Sequence, residues 1–434
     1  MSRFTSLWVS IRSSLWFVPT TIVAGSIALA VVLVELEKYY DFQWASEYPL
    51  LFGAGAEGSR GMLSTIAGSM ITVAGVTFSL TISALVTASG QYTSRILRNF
   101  MRDRSNQFVL GAFVGIFAYC LVVLRTIRGG GEATFVPSFA VFVGLLLSLL
   151  GIGVLVFFIH HIATSIQAST IIARITEETL SAIEIHYPGT LAEAHGTREA
   201  VPEGESPFRG AVEAAAMGYV QRIDTEAILD IGREHGAVVS MNLRPGEFVA
   251  EGAALMWIDA GATVDDGVLR RLRSAVSIRR FRTIDEEFSF GIRQLVDIAI
   301  KALSPGINDT TTAIMCIDHL GAVLGRLASR EMPLVHRSAD GRAVLFTRGP
   351  GFDDILDSAI DQIRNSAGRN VAVLTHLVRA ITSAATCTAS PSRSQCLEHH
   401  LRLVVRHADG AIAVDHDRAL FATALDGAIA ALGA

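Results

Sequence analysis

Arg293, Asp297 and Lys301 fall at i, i+4 and i+8 in the run FGIRQLVDIAIKALSPGIND, a spacing that stacks cation, anion and cation on one face of a helix. That helix is predicted to end near Ser304, because Pro305 restricts the residue before it and Gly306 permits a reversed backbone. Asn308 then closes the loop, and Asp309 is placed to cap a following helix. Of the 36 basic residues only Lys38 and Lys301 are lysines, and a compact ammonium is not interchangeable with a guanidinium. Arg293, Asp297, Lys301, Asn308 and Asp309 are therefore a candidate polar pocket or subunit contact. A structural salt bridge followed by a capped turn is the plain alternative.

A second pattern carries no charge. Thr65, Gly68, Ser69, Thr72, Gly75, Ser79 and Ser83 repeat at helical spacing, Thr77, Thr81 and Thr87 add hydroxyls, and no charged residue lies between Met62 and Gly90. Such a face packs closely against another helix, since small residues let membrane-spanning backbones approach, or lines a water-filled path in an oligomer, since hydroxyl-lined pores need no charged residue. At one end of this stretch Arg95, Arg98, Arg102 and Arg104 are placed to hold anionic headgroups or to bias a path toward anions. His160 and His161 follow the last long apolar stretch; they titrate near neutral pH, which allows proton sensing or simple interfacial anchoring.

The elements that must position these residues divide the chain in two. Apolar stretches at 15–34, 62–88, 107–124 and 135–159 are near or above the ~20 residues that a helix needs to cross ~30 Å of hydrocarbon. Nothing comparable follows. Arg3 and Arg12 precede the first stretch and the arginine group 95–104 follows the second, which puts both segments on the cytoplasmic side by the positive-inside rule. Arg125 and Arg128 count mildly against that orientation. The first stretch is too long for the core of a secretory signal and has no small-x-small cleavage site. The chain therefore reads as a multi-pass protein of a bacterial inner membrane with both termini in the cytoplasm.

Downstream, an amphipathic spacing carries the fourth span on as one helix to about residue 187, and prolines and glycines mark 188–210 as a linker. Short β-type runs follow, 217–224 pairing with 237–241 and 254–258 in a small barrel or sandwich. The string from Pro245 to Leu255 resembles the hairpin of biotinyl, lipoyl and efflux-adaptor domains, without a lysine at its tip to carry a cofactor. Helical patterning then dominates, interrupted by a strand pair around 334–347. The expected fold class is a membrane α-helical part of four transmembrane helices plus a cytoplasmic α+β part with a small β-barrel or sandwich and a helical lobe. Its domains are 1–160, 161–187, 188–210, 211–262 and 263–434.

A net charge of −5 gives no polybasic footprint, so no nucleic-acid partner is expected. Cys120, Cys316, Cys387 and Cys396 are expected as thiols in a reducing compartment. Cys387, Cys396, His399 and His400 have only a loose metal-like spacing, and His407, Asp409, Asp415, His416 and Asp417 read as surface turns. No phosphate loop, dinucleotide fingerprint or nucleophile elbow is present. No cofactor, metal or catalytic residue is expected, and an enzyme is the less favoured class.

The run from Phe290 to Leu320, together with Gly90-Gln91-Tyr92-Thr93-Ser94-Arg95 and the stretch FIHHIATSIQ at Phe158 to Gln167, resembles a family of bacterial predicted inner-membrane proteins catalogued as a domain of unknown function. The resemblance covers essentially the whole chain. It implies four N-terminal spans and a cytoplasmic domain, and it implies no activity. From the residues, the leading expectation is a homo-oligomeric channel or transport-related protein that contacts the lipid bilayer and passes ions or a small ligand. A membrane-anchored sensor or scaffold is the alternative, and an enzyme with a pocket near Lys301 the third reading.

Overall fold

A computed structural model describes residues 16–39, 55–91, 103–128, 135–189, 210–259, 265–332, 335–337, 344–347 and 349–432. They belong to two units, Met1–Gln167 and Ala168–Ala434.

In the first unit the four apolar stretches form helices α1 (Phe17–Tyr39), α2 (Ala56–Gln91), α3 (Arg104–Thr126) and α4 (Ser138–Ser165). Each is long and apolar enough to cross a membrane, where only a structure that satisfies its own amides is stable. Helix α3 is central, with 50% of its apolar window buried against 17, 28 and 22% for α1, α2 and α4. Its glycines explain the close fit to α1. A β-carbon at Gly111 would stand 2.9 Å from the backbone of Pro19, and one at Gly115 would stand 2.7 Å from Ser26 Oγ. Around α3 gather Phe113, Tyr119, Leu63 and Phe158, all almost fully buried.

Polar contacts close the helix ends. The Glu37 carboxylate accepts from the backbone amides of Phe139 (2.7 Å) and Ala140 (3.0 Å), capping the α4 N-terminus, which favours negative charge. Tyr119 donates to Ala140 O at 2.7 Å, and Arg60 donates to Ile127 O at 2.7 Å, just beyond the C-terminus of α3. These bonds pin the same end of all four helices.

The continuous helix expected beyond the fourth span is two helices. Helix α4 stops at Ser165, Ile166 and Gln167 turn, and α5 (Ala168–His186) begins. In the second unit α5 buries Ile171, Ile172, Ile175, Thr179 and Ile183 against α8 (Phe288–Ala302) and α9 (Thr310–Ser329).

The β elements are β1 (Gly210–Glu213), β2 (Gly218–Ile223), β3 (Val238–Met241), β4 (Phe248–Val249), β5 (Ala254–Asp259), β6 (Val276–Arg279), β7 (Val335–Arg337) and β8 (Val344–Phe346). They form two open sheets, ordered β1-β5-β3-β8-β7 and β4-β2-β6, and no barrel closes among the described strands. Pairing is antiparallel except between β3 and β8. The expected pairing of 217–224 with 237–241 fails because a helix, α6 (Thr225–His235), intervenes, capped by Asp224 and ended by Gly236 at φ 60°. The lipoyl-like string is not a hairpin either: β4 pairs with β2, whereas β5 pairs with β1 and β3. Strand β6 follows α7 (Asp266–Ser274) where helix was expected.

The helical remainder matches the periodicity. After α10 (Phe352–Leu356) comes a π-helical turn (Asp357–Asp361), then α11 (Gln362–Ser366), α12 (Val371–Ala385), α13 (Pro391–Ala411) and α14 (Asp415–Leu432).

Candidate functional site

Helix α2 has two unlike faces. Leu63, Ile66, Ala67, Met70 and Ala74 are buried in the core of the first unit. Thr65, Gly68, Ser69, Thr72, Gly75, Ser79 and Ser83 are all exposed in the single chain, and a β-carbon added at Gly68 or Gly75 would meet nothing within 4 Å. Among the described residues nothing of the same chain packs on this face, so both expected uses, close helix packing and a water-lined path, would need a second copy. The hydroxyl protons of Thr65, Ser69 and Thr72 are donated back to Gly61 O, Thr65 O and Gly68 O, each at 2.8 Å. This back-bonding lowers the cost of a hydroxyl in hydrocarbon and leaves oxygen lone pairs outward.

Thr77 and Thr81 point elsewhere. With Asn106, Gln107, Phe78 and Phe158 they line a cavity of about 250 Å³ within the first unit. Both amide atoms of Asn106 are buried without a partner there. Sequence inspection passed over Asn106 and Gln107 because they sit in the first turn of a span, where polar residues are ordinary.

Of the interfacial group, Arg95, Arg98 and Arg102 lie outside the described residues, and Arg104 is the exposed first residue of α3. The two histidines part company. His160 is exposed, whereas His161 Nε2 lies 2.6 Å from Asp103 Oδ2, and Asp103 also caps α3 by accepting from Ser105 N at 2.9 Å. His161 thus ties the end of the fourth span to the start of the third.

The constellation around Lys301 resolves into local parts. Arg293 Nε reaches Asp297 Oδ1 at 2.9 Å, but no ion pair of Lys301 is present among the described residues. Asn308 is the one described non-glycine residue at positive φ, 51°. Asp309 caps α9, accepting from Thr312 N at 3.0 Å and Thr312 Oγ1 at 2.6 Å. The Thr312 hydroxyl and amide together hold its carboxyl below the usual aspartate range.

The downstream unit's cleft lies at other residues. It encloses about 190 Å³ and is lined by His186 and Tyr187 at the end of α5, Gln221 and Arg222 of β2, and Glu286 and Glu287 before α8. Glu287 is buried, accepting from Arg282 Nε at 2.8 Å and from the Arg282 Nη2 and Ser289 hydroxyl donors. Gly246, at φ 92°, lies so close that a β-carbon there would fall on the Glu287 carboxylate. Gln221 is fully buried; its Oε1 accepts from Thr283 Oγ1 at 2.9 Å while its Nε2 has no partner. Burial pushes the Tyr187 phenol up, keeping it a donor at neutral pH. Neither Arg293 nor Lys301 lines this cleft. Only the Pro245-Gly246 turn hinted at it in sequence.

Asp357, Asp361 and His400 form the one group of convergent metal-ligand atoms among the described residues. The π-helical turn brings the two aspartates to the buried His400, with Asp357 Oδ1 3.2 Å from Nε2 and Asp361 Oδ1 3.8 Å from Nδ1. Burial lowers the His400 pKa against the pull of both carboxylates. Arg364, 3.1 Å from Asp361, already supplies a cation, so an ion-pair network accounts for the group. Of the loose Cys/His spacing only His400 takes part; Cys387 is an exposed free thiol.

A model of the family described as "Predicted membrane protein (DUF2254)" matches residues 12–383. The uncharacterized proteins Rv1290c of Mycobacterium tuberculosis and Mb1321c of Mycobacterium bovis are similar to this chain, each 35% identical over 435 residues that cover 97% of this chain and 81% of the relative. No solved structure matches. Four apolar helices ahead of a mixed helical and sheet unit, with a family match over most of the length, lead to one assignment: the chain belongs to the DUF2254 family of predicted membrane proteins.

Proposed function

We propose that the chain self-associates in the bacterial inner membrane through the Gly/Ser/Thr face of α2, and that the assembly conducts small ions along that face under control of a cytoplasmic downstream unit. One observation carries the reading. Seven small or hydroxylated residues of an uncharged span face out of the chain, while the opposite face of the same helix is the one buried in its core. Lipid tails match apolar side chains and offer nothing to a row of glycines and hydroxyl oxygens. An identical face on a second copy offers close backbone approach, and several such faces around an axis offer a polar lining without charge.

The same geometry supports a second reading, a self-associated anchor for a cytoplasmic sensor or scaffold. Back-bonding of Thr65, Ser69 and Thr72 lets the face pack without water. The enzyme reading has less support, since Arg293 is engaged by Asp297 and neither Arg293 nor Lys301 lines the downstream cleft.

Single-channel current across bilayers containing the purified protein separates the two readings. The expected result is discrete openings that disappear in Thr72→Leu and Ser79→Leu while oligomer size is retained. A silent bilayer with a correctly assembled oligomer, across pH and tension, gives the anchor reading instead.

A further inference from the structure

We propose that the cleft between β2, α6 and α8 is a binding site for a small organic oxyanion, a carboxylate or phosphate on a short apolar body. This stands apart from conduction along α2, since every group involved belongs to the downstream unit.

The sign of the ligand follows from which hydrogen-bonding groups are already used. Glu287, the buried carboxylate, is fully engaged by Arg282 and Ser289. His186 Nε2 is occupied at 3.1 Å by Asp285 O. Apart from the Glu286 carboxylate, what remains open is mainly of donor character. The Gln221 amide nitrogen is buried without an acceptor, a condition that is unfavourable unless something in the cleft accepts from it. An uncapped helix begins at the cleft, with Phe288 and Ser289 the first two residues of the 15-residue α8; α6 also begins there at Thr225, but Asp224 already caps it. Glu287, at the head of α8, makes no side-chain cap bond, and its carbonyl takes only the Phe290 amide, at 3.1 Å, so the amides of Phe288 and Ser289 are open to an anion. Arg222 adds a full positive charge, half exposed and only 4.0 Å from the partly exposed Glu286, its nearest carboxylate.

Shape limits the rest of the ligand. The walls are apolar at Ile223, Pro245, Phe288, Met332 and Pro350. A volume of about 190 Å³ is roughly six times the ~30 Å³ share of one liquid water, enough for a single ring or a short branched chain beside the charged head. Glu286, a second carboxylate in the lining, disfavours ligands with a second negative group.

Isothermal titration of the full-length protein in detergent with benzoate and with inorganic phosphate tests this, with benzylamine as the probe of opposite charge. Benzoate is expected to bind saturably with a Kd of about 1 mM or tighter, phosphate more weakly for want of an apolar body, and benzylamine not at all. Gln221→Glu, which keeps the contact to Thr283 and replaces the free donor by an acceptor, is expected to abolish benzoate binding. Arg222→Gln alters a half-exposed side chain that the fold does not need, and is expected to weaken binding at least tenfold with an unchanged melting temperature. Absence of saturable benzoate and phosphate binding to folded protein, benzylamine binding in their place, or affinity indifferent to Arg222→Gln would each overturn the assignment.

Discussion

Gly111 and Gly115 of α3 and Gly68 and Gly75 of α2 are the same residue in the same kind of helix, yet they meet opposite surroundings. The first pair is pressed against α1, with heavy atoms inside 3 Å of where a β-carbon would stand, and the second pair faces open space. Small residues on a spanning helix permit close approach; among the described residues one glycine face is filled and the other is uncovered, and the proposed self-association would cover it. The uncovered face is also the hydroxylated one.

The largest effect that would break this contrast belongs to the filled face. Gly111→Leu drives a side chain into the backbone of Pro19, an overpacking of at least about 3 kcal/mol, and is expected to abolish a cooperative melt in detergent. A near-normal melt would mean that α1 and α3 are not held together as described. Next, Gly246→Ala forces a left-handed φ of 92° and a collision with Glu287. The expected cost is about 1–3 kcal/mol, read as a lower melting temperature with the oligomer unchanged, which separates damage to the downstream unit from damage to α2.

Gly75→Leu sharpens the comparison directly. Among the described residues no atom lies within 4 Å of a β-carbon there, so the melt of the monomer is expected to be unchanged while self-association weakens at least tenfold, or about 1.4 kcal/mol. Sedimentation in detergent reads both quantities.

The smallest effect concerns Asp309. Its carboxyl is held below the usual range by the Thr312 hydroxyl and amide, so the folded state favours the ionised form. The resulting stability is full above the unfolded-state value near pH 4 and is lost as pH falls through the lower folded value. Asp309→Asn keeps a capping oxygen but loses the charge at the helix start, so it is expected to cost about 0.3–1 kcal/mol at neutral pH, with a melting difference from wild type that shrinks in acid. A difference that grows in acid would contradict the cap.

The four spans were legible in the sequence because hydrocarbon demands ~20 continuous apolar residues, and a local run cannot be mistaken. The helix end, expected near Ser304 and found at Ala302, and the Asp309 cap were legible for a similar reason, since Pro305, Gly306 and Asp309 act on their immediate neighbours. The strand pairing was not. Val220 pairs with Ile278, and Val239 with Leu345, and no local periodicity reports partners that far along the chain. Arg293, Asp297 and Lys301 shared a face in sequence, but only Arg293 and Asp297 close a pair. The cleft was hidden for the complementary reason. Gln221 and Glu287 are ordinary in isolation, and what distinguishes them, full burial of one with an unused donor and double engagement of the other, exists only after β2 and α8 come together. For the small-residue face, sequence showed the stripe, and only the fold showed that the chain turns it outward.

Disulfide trapping within membranes tests the central claim most directly. With Cys387 and Cys396 replaced by serine, Gly68→Cys, Gly75→Cys and, as a lipid-facing control, Leu150→Cys would be oxidised in native membranes and run on non-reducing gels. Leu150 is 62% exposed and lies on α4. The predicted result is a covalent dimer at Gly68 and Gly75 and none at Leu150. Absence of a dimer at both glycines, or equal trapping at all three positions, would contradict the claim that the uncovered face of α2 meets its own copy.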